Sequence, residues 1–259
     1  MTRRLAIEWP DPRPFDGRDG APIRLLAVSD AFEPALADAR NRLALGSIDL
    51  ILGCGDLDCD DLAFVADGFD APLVYVRGNH DSDERWKQCR DICPDPIVST
   101  AVLHRAGLSI AGLTWPGCRG RLANRNERTA WSQSLRIATR QVGNLDPMIV
   151  VSHAPPFAAG DVLTDAYHRG FKGYRWLLER LQPRLWLHGH TPLASAHEWQ
   201  IQVGHTTVVN VTGAVIIDLL PPGPDTVRLR RRRLSLAARS AKAEGPTKAG
   251  GPAGPKTGL

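Results

Sequence analysis

The sequence predicts an α/β fold built on a largely parallel β-sheet. Strand-like apolar runs alternate with stretches of helical periodicity along most of the chain, which is the pattern of βαβ units. Several of these runs are apolar at every position, as in strands that are buried on both faces. The last two runs have no helix between them, and turns at Gly204 and Gly213 favour antiparallel pairing, in a second sheet or at an antiparallel edge.

The predicted elements alternate between strand and helix from residue 23 onward. The first strand, 23–28, is followed by Pro34, which suits a first helical turn, and by helical spacing over 35–45. The other predicted strands are 49–52, 73–76, 108–113, 148–151, 185–187, 206–211 and 214–219. The other predicted helices are 61–66, 82–89, 126–142 and 172–181.

Composition divides the chain into three parts. Residues 1–22 end in a stretch rich in Pro, Gly and Asp and are predicted to be an irregular lead-in to a domain over 23–222. Residues 223–259 combine an arginine run with Gly, Pro, Ala and Lys, and this composition predicts a disordered basic tail. Nine Lys or Arg and one acid over 228–259 give the tail a charge of +8, so the rest of the chain carries −4 of the net +4.

The composition excludes a membrane protein and disfavours export. No apolar run approaches the roughly 20 residues of a membrane-spanning helix, and the opening MTRRLAIEWPDPRP lacks the apolar stretch of a secretory signal. The five cysteines are therefore expected to be free thiols in a reducing cytoplasm. Cys89 and Cys93 have no second pair at zinc-ribbon spacing, so no structural zinc site is predicted there.

Side chains that bind metals follow five predicted strands, directly past their carboxyl ends. Taken singly, an aspartate there is commonly a helix cap, and a lone histidine is commonly a surface or core residue. Five such residues in succession are not expected by chance, and the carboxyl ends of parallel strands share one edge, where ligands bind. We therefore expect the side chains to converge. They are Asp30, Asp56, Asn79, His153 and His190.

The series D…GD…GNHD…H…GH over residues 23–219 resembles the calcineurin-like metallophosphoesterase superfamily. The segment SHAPP at 152–156, with HRGF at 168–171, resembles the small prokaryotic branch of that superfamily. The resemblance implies a four-layer α/β/β/α sandwich with a two-metal site at the strand ends. It also implies that Asp56 bridges the two metals.

One metal site implied by the resemblance is complete, because Asn79, His153 and His190 are all present. The other site would use an Asp and a His from a D-x-H motif and the last His of G-H-x-H. Asp30 is present, but Phe32 and Pro192 stand at the two histidine positions.

Phenylalanine and proline side chains cannot coordinate a metal. Glu33 is either a substitute oxygen ligand or a solvated acid at a helix start, where the helix dipole favours it. An oxygen-rich site suits manganese, magnesium or ferrous iron better than zinc, with one or two ions per chain.

Phosphoester hydrolysis requires neutralised charge on the phosphoryl oxygens and a nucleophile at neutral pH, which two metals holding a hydroxide supply. The resemblance implies that His80, beside Asn79, is the general acid for the departing alkoxide. The aspartate that orients this histidine in many relatives is replaced by Cys59, and Asp58 or Asp60 can take that role.

Substrate-binding residues are not assigned. Arginine presents paired donors to phosphate oxygens, although a solvated surface position is the favoured interpretation of each arginine near the motifs. The candidates to line the cleft are Arg77, Arg119, Arg121, Arg125, His168 and Arg169.

The sequence thus predicts a cytoplasmic metal-dependent phosphoesterase that acts on a small phosphomonoester or phosphodiester through a metal-bound hydroxide and His80. The alternative is a degenerate one-metal member that binds a phosphorylated ligand without efficient turnover, which the two missing histidines favour. Nucleic-acid binding through the basic tail is a less favoured alternative, because the body of the chain is acidic. No membrane partner is predicted.

Overall fold

The computed structural model describes residues 2–81, 91–118, 121–195 and 198–228. The chain divides into two compact units, Met1–Pro222 and Gly223–Leu259. In the second unit, 224–228 are helical, and the predicted disordered tail lies outside the described residues from position 229 onward. None of the described helices combines the length and apolarity needed to cross a membrane.

The elements of the first unit agree with most of the predicted alternation. The strands are β1 (Arg3–Glu8), β2 (Ile23–Ser29), β3 (Leu50–Gly53), β4 (Leu73–Tyr75), β5 (Val102–Arg105), β6 (Leu108–Leu113), β7 (Gly117–Cys118), β8 (Arg121–Arg125), β9 (Met148–Ser152), β10 (Leu185–His188), β11 (Gln200–Val203), β12 (Thr206–Asn210) and β13 (Gly213–Leu220). The helices are α1 (Ala39–Leu45), α2 (Cys59–Phe69), α3 (Glu127–Arg140) and α4 (Lys172–Leu181), with 3-10 turns at Arg13–Phe15, Pro34–Leu36 and Leu193–Ser195.

These strands form two large mixed sheets. The first has the order β1-β13-β2-β3-β4, and the second has the order β11-β12-β10-β9-β6-β5. In the first sheet β2, β3 and β4 run parallel, and in the second β6, β9, β10 and β12 run parallel. The antiparallel strands β5 and β11 close the edges of the second sheet.

Three buried clusters show how the sheets and helices are layered. Side chains of β2 and β3 meet those of β9 and β10 in a cluster between the two sheets. The outer face of the first sheet packs on Leu62 and Val65 of α2. The outer face of the second sheet packs on Ile137 of α3 and Leu177 of α4, each of which is worth about 1.5–3 kcal/mol when fully buried. The layers are therefore α/β/β/α, which confirms the predicted fold class.

The prediction of an irregular lead-in over residues 1–22 is wrong for its first part. Residues Arg3–Glu8 form β1, which pairs in parallel with β13 at the edge of the first sheet. Its side chains alternate between exposed and half-buried or buried positions, with Ile7 on the covered face. Two arginines and a glutamate in six residues hide this alternation in the sequence.

The two last predicted strands are not partners, although a second sheet, one of the two alternatives, is present. β12 forms a hairpin with β11 across the turn at Gly204, whereas β13 pairs with β2 in the other sheet. β13 is buried at most of its positions, as a central strand between two neighbours must be. The prediction of a helix at 82–89 lies outside the described residues.

The expectation that every cysteine is a free thiol is wrong at Cys59, which is disulfide-bonded. Cys54 and Cys93 are free and buried. Cys89 lies outside the described residues.

Candidate metal centre

The predicted ligands stand where five strands end, on both sheets. Asp30, Asp56 and Asn79 follow the parallel strands β2, β3 and β4 of the first sheet, and His153 and His190 follow β9 and β10 of the second. The backbone N–H of His190 donates to both carboxylate oxygens of Asp30 at 3.0 Å. This contact joins the ends of the two sheets, so the ligands of one sheet meet those of the other.

Three of these residues have a left-handed backbone. The φ angles are +63° at Asp30, +56° at Asp56 and +65° at His190. Residues other than glycine adopt this region at a cost of about 1–3 kcal/mol and keep it where surrounding contacts enforce it, often at functional sites. The turns directly after β2, β3 and β10 are therefore held by the contacts of the site itself.

His153 is at the centre of the cluster. Its Nε2 lies 3.0 Å from Oδ2 of Asp56 and 2.9 Å from Oδ1 of Asn79. Its Nδ1 donates to the carbonyl of Cys54 at 2.8 Å, which fixes the ring and turns Nε2 towards the cluster. Three potential ligand atoms thus surround one point.

Electrostatics show what this point attracts. Burial lowers the pKa of His153, but the hydrogen bond to Asp56 and the charges of Asp30 and Asp56 outweigh burial and raise it to about 9. Burial raises the pKa of Asp56, yet the bond to His153 brings it below its usual value. The two carboxylates therefore stabilise the protonated form of His153.

His190 lies beside this cluster, with its ring centre 5.0 Å from that of His153. Its Nε2 donates to the carbonyl of Tyr167 at 2.9 Å, so Nδ1 keeps its lone pair. Burial and then the charge of His153 lower the pKa of His190 to about 3. The ring therefore stays neutral, which is the form that binds metals.

The residues present fit a divalent cation. One ligand atom each from Asp30, Asp56 and His153 lies within 4.8 Å of the others, close enough for one ion to contact all three. The backbone of Gly78 lies directly against this group. A Cβ at Gly78 would lie only 2.2 Å from Oδ1 of Asp56, so no larger residue fits there. Carboxylate, amide and imidazole groups of this kind are common ligands of divalent metal ions in proteins.

The two positions where the superfamily pattern has histidines hold no ligand. Phe32 packs edge to face on Phe64, with ring centres 5.9 Å apart, and Pro192 is exposed. Asp30 on this side accepts the backbone N–H of His190 and, at 3.2 Å, the hydroxyl of Thr212. The two groups that donate to the Asp30 carboxylate are therefore both neutral.

Like His190, Glu33 lies outside the compact group of Asp30, Asp56 and His153 that the described residues form, and unlike His190 it has no described contact with a member of that group. Its carboxylate accepts the backbone N–H of Ala35 at 3.4 Å and caps the 3-10 turn that begins at Pro34. The structure thus gives Glu33 the second of its two predicted roles, that of an acid at a helix start.

His80 lies at the exposed rim of the site. Its backbone N–H donates to Oδ1 of Asp56 at 2.9 Å, which ties the residue to the cluster. Its side chain is exposed, and Nε2 lies 3.1 Å from the hydroxyl of Tyr167. Asp58 and Asp60, the two candidates to orient His80, stand at the start of α2.

A family model for calcineurin-like phosphoesterases matches residues 23–194, which include all of these ligands. This chain belongs to the calcineurin-like phosphoesterase family. Among solved structures, the protein TT1561 of Thermus thermophilus has a TM-score of 0.52 and 19% identity, over 74% of this chain and 90% of that one. A dimetal phosphatase from Danio rerio has a TM-score of 0.49 and 10% identity, over 74% of this chain and 88% of that one. The search of curated proteins found no match.

Two residues of this calcineurin-like site were missed in the sequence. Asp81 ends the GNHD motif, is 4% exposed, and accepts the backbone N–H groups of Asp56 at 2.9 Å and Gly78 at 2.7 Å. Asp81 therefore joins the turn that carries Asp56 to the turn that carries Asn79. Its place as the last residue of GNHD was the sequence feature that could have indicated this role. The second missed residue is Tyr167. Its position directly before HRGF was the sequence feature that could have indicated it.

Arg125, a candidate phosphate-binding residue, has a structural role here. Its guanidinium donates to the carbonyls of Tyr167 and Gly170 at 3.1 Å, and also to that of Arg169. It lies 4.3 Å from the centre of the Phe171 ring. The guanidinium N–H groups of Arg125 therefore bind backbone carbonyls of the segment that precedes α4.

The other cleft candidates differ in where they lie. The ring of His168 is centred 5.2 Å from that of His190, so His168 borders the site. Arg169 is exposed and donates to the carbonyl of Leu163 at 3.0 Å. Arg77 is half-buried, and Arg119 lies outside the described residues, as does the side chain of Arg121.

Proposed function

We propose that this protein is a phosphoester hydrolase that uses divalent metal and His80 as general acid on a small phosphomonoester or phosphodiester. The proposal depends on one observation: side-chain oxygens of Asp56 and Asn79 lie within 3.0 Å of His153 Nε2. The backbone N–H of His80 donates to the same Asp56 carboxylate. Membership of the calcineurin-like phosphoesterase family supports it.

A bound divalent ion supplies charge neutralisation at the phosphoryl group and makes water nucleophilic at neutral pH. Asp56, Asn79, His153 and His190 would hold such an ion, and Asp81 keeps two of their turns in place. His80, exposed above Asp56, would protonate the departing alkoxide oxygen, a contribution worth about 10²–10⁴-fold in rate.

The donor set favours two unequal ion sites. If the ligands divide as the family resemblance implies, the His153 side offers Asp56, Asn79, His153 and His190, whereas the other side offers Asp30 and the shared Asp56. We therefore expect one tightly bound ion and a second one bound more weakly, with manganese, ferrous iron or magnesium preferred to zinc.

The test is hydrolysis by the purified chain with added Mn²⁺, using phenyl and p-nitrophenyl phosphates as mono- and diesters. Turnover is expected, and removal of metal with a chelator should abolish it. His80→Ala should lower kcat by about 10²–10⁴-fold on the phenyl esters while calorimetry shows unchanged Mn²⁺ affinity. The matched control is His104→Ala, an exposed histidine on β5, which should behave as the wild type.

A second function is favoured by one observation, the presence of Phe32 and Pro192 at two histidine positions. A one-metal member would bind a phosphorylated ligand at the His153 side without efficient turnover. Tight Mn²⁺ and phosphate binding with no hydrolysis under manganese, iron or magnesium would establish that function instead.

A further inference from the structure

We propose that Tyr167 is a positioning residue of this metal centre, acting on Asn79 and His80 through its hydroxyl and on His190 through its carbonyl. The proposal rests on the proposed function, and it assigns a role to a residue outside the ligand motifs. Three separate contacts carry it, at 2.7 Å to Asn79, 3.1 Å to His80 and 2.9 Å to His190.

The first contact sets the orientation of the Asn79 carboxamide. An amide side chain has one acceptor oxygen and one donor nitrogen, and only the oxygen suits a cation. In the structure Oδ1 of Asn79 lies 2.9 Å from His153 Nε2, while Nδ2 donates to the Tyr167 hydroxyl at 2.7 Å. Because the hydroxyl accepts from Nδ2, it holds the orientation in which the oxygen faces the ligand cluster.

The second contact restrains the His80 side chain. The hydroxyl of Tyr167 uses one lone pair for Asn79 and keeps its proton and a second lone pair for His80 Nε2. An exposed imidazole otherwise exchanges between rotamers rapidly. The shared hydroxyl therefore places the proton-carrying nitrogen of His80 next to the ligand Asn79.

The third contact comes from the backbone of the same residue. The Tyr167 carbonyl accepts from His190 Nε2 and so selects the tautomer whose Nδ1 is free. Contacts of this kind, one shell beyond the metal ligands, typically change metal affinity or activity by about 10–100-fold when they are lost.

Hydrogen bonds within the segment around Tyr167 hold this residue in place, although it is 41% exposed. Its N–H donates to Asp165 at 2.9 Å, and Arg125 donates to its carbonyl at 3.1 Å. Farther along, the N–H of Gly170 donates to Asp161 at 2.7 Å. These bonds hold the exposed loop in a fixed path over the site.

The experiment compares Tyr167→Phe with Tyr174→Phe. Tyr167→Phe removes the hydroxyl and keeps the ring and the carbonyl contact to His190. We expect its Mn²⁺ affinity, measured by calorimetry, to fall about 10-fold or more. Tyr174→Phe removes a buried hydroxyl that donates to Gln133 at 2.7 Å between α4 and α3, and its Mn²⁺ affinity should equal that of the wild type.

A second readout separates positioning of His80 from a general loss of structure. The fall in kcat caused by Tyr167→Phe should be larger on phenyl esters than on p-nitrophenyl esters, because a basic leaving group depends more on protonation. KM should change little. A Tyr167→Phe protein with wild-type Mn²⁺ affinity and wild-type leaving-group dependence would overturn the inference. If the wild type hydrolyses no ester, the proposed function fails, whereas the calorimetric comparison still decides the role of Tyr167.

Discussion

The two sides of the candidate metal centre, around His153 and around Asp30, differ in how many carboxylate, amide or imidazole groups the sequence offers to a metal. On the His153 side each donor has a partner that orients it, such as the Cys54 carbonyl on His153 and the Tyr167 hydroxyl on Asn79. On the Asp30 side the carboxylate is oriented by the backbone N–H of His190 and the Thr212 hydroxyl, but the two neighbouring motif positions are Phe32 and Pro192. The difference teaches that Phe32 and Pro192 can stand at two positions of the motif while the strands β2 and β10 still end beside one another.

The largest contrast is expected between His153→Ala and Asp30→Ala. His153→Ala removes the central ligand, so the tight Mn²⁺ affinity should fall by more than the ~100-fold that loss of an orienting contact causes. Asp30→Ala should weaken chiefly the second ion. Calorimetric titration of both variants with Mn²⁺ measures the two affinities, and equal losses in the tight affinity would remove the distinction between the halves.

Metal affinity on the His153 side should depend more steeply on pH than metal affinity on the Asp30 side. In the metal-free protein the pKa of His153 is raised to about 9, so below that pH a proton must leave before Nε2 binds a metal. Affinity at the tight site should therefore rise about tenfold per pH unit up to pH ~9 and then level off. Titrations at successive pH values test this, and a flat profile at pH 6–8 would mean that the proton on His153 does not compete.

Restoring the lost ligands should strengthen the weaker half. Phe32→His combined with Pro192→His should raise affinity for the second ion by about tenfold, equivalent to ~1.4 kcal/mol. Phe32→Ala combined with Pro192→Ala removes the same packing on Phe64 without adding imidazoles and is the matched control. Improved binding in the alanine pair as well would attribute the gain to lost bulk and not to coordination.

The smallest effect is expected from Glu33→Ala. Because the carboxylate caps the short 3-10 turn at Pro34–Leu36 through a long contact of 3.4 Å, its loss should lower the free energy of unfolding by about 0.5 kcal/mol, the low end for a cap. Mn²⁺ affinity should stay unchanged, and Glu33→Gln, which keeps an acceptor, should retain most of the stability. Denaturant unfolding and calorimetry together check this; a clear loss of metal affinity would restore Glu33 as a ligand.

The apolar runs were sufficient for the buried strands and for the residues at their ends, since the topology of parallel strands brings those ends together, whereas the four layers were predicted from the family resemblance. The sequence was insufficient where contacts between distant parts of the chain decide which strands pair and where a side chain lies. β1 joins the sheet by pairing with a strand more than 200 residues later, and β12 and β13 divide between sheets. Tyr167 is held by a hydrogen bond from Arg125 to its carbonyl and by one from its own N–H to Asp165, and no local sequence pattern indicates either of them.

The hydrogen bonds between His190 and Asp30 join strand ends that belong to opposite sheets of the sandwich. A cation held by Asp56 from one sheet and His153 from the other would brace the same seam. Its binding energy would then add to the resistance of the sandwich against splitting, by about 2.7 kcal/mol at a hundredfold excess over Kd. The Tm of this protein should accordingly rise with the concentration of the divalent metal in solution.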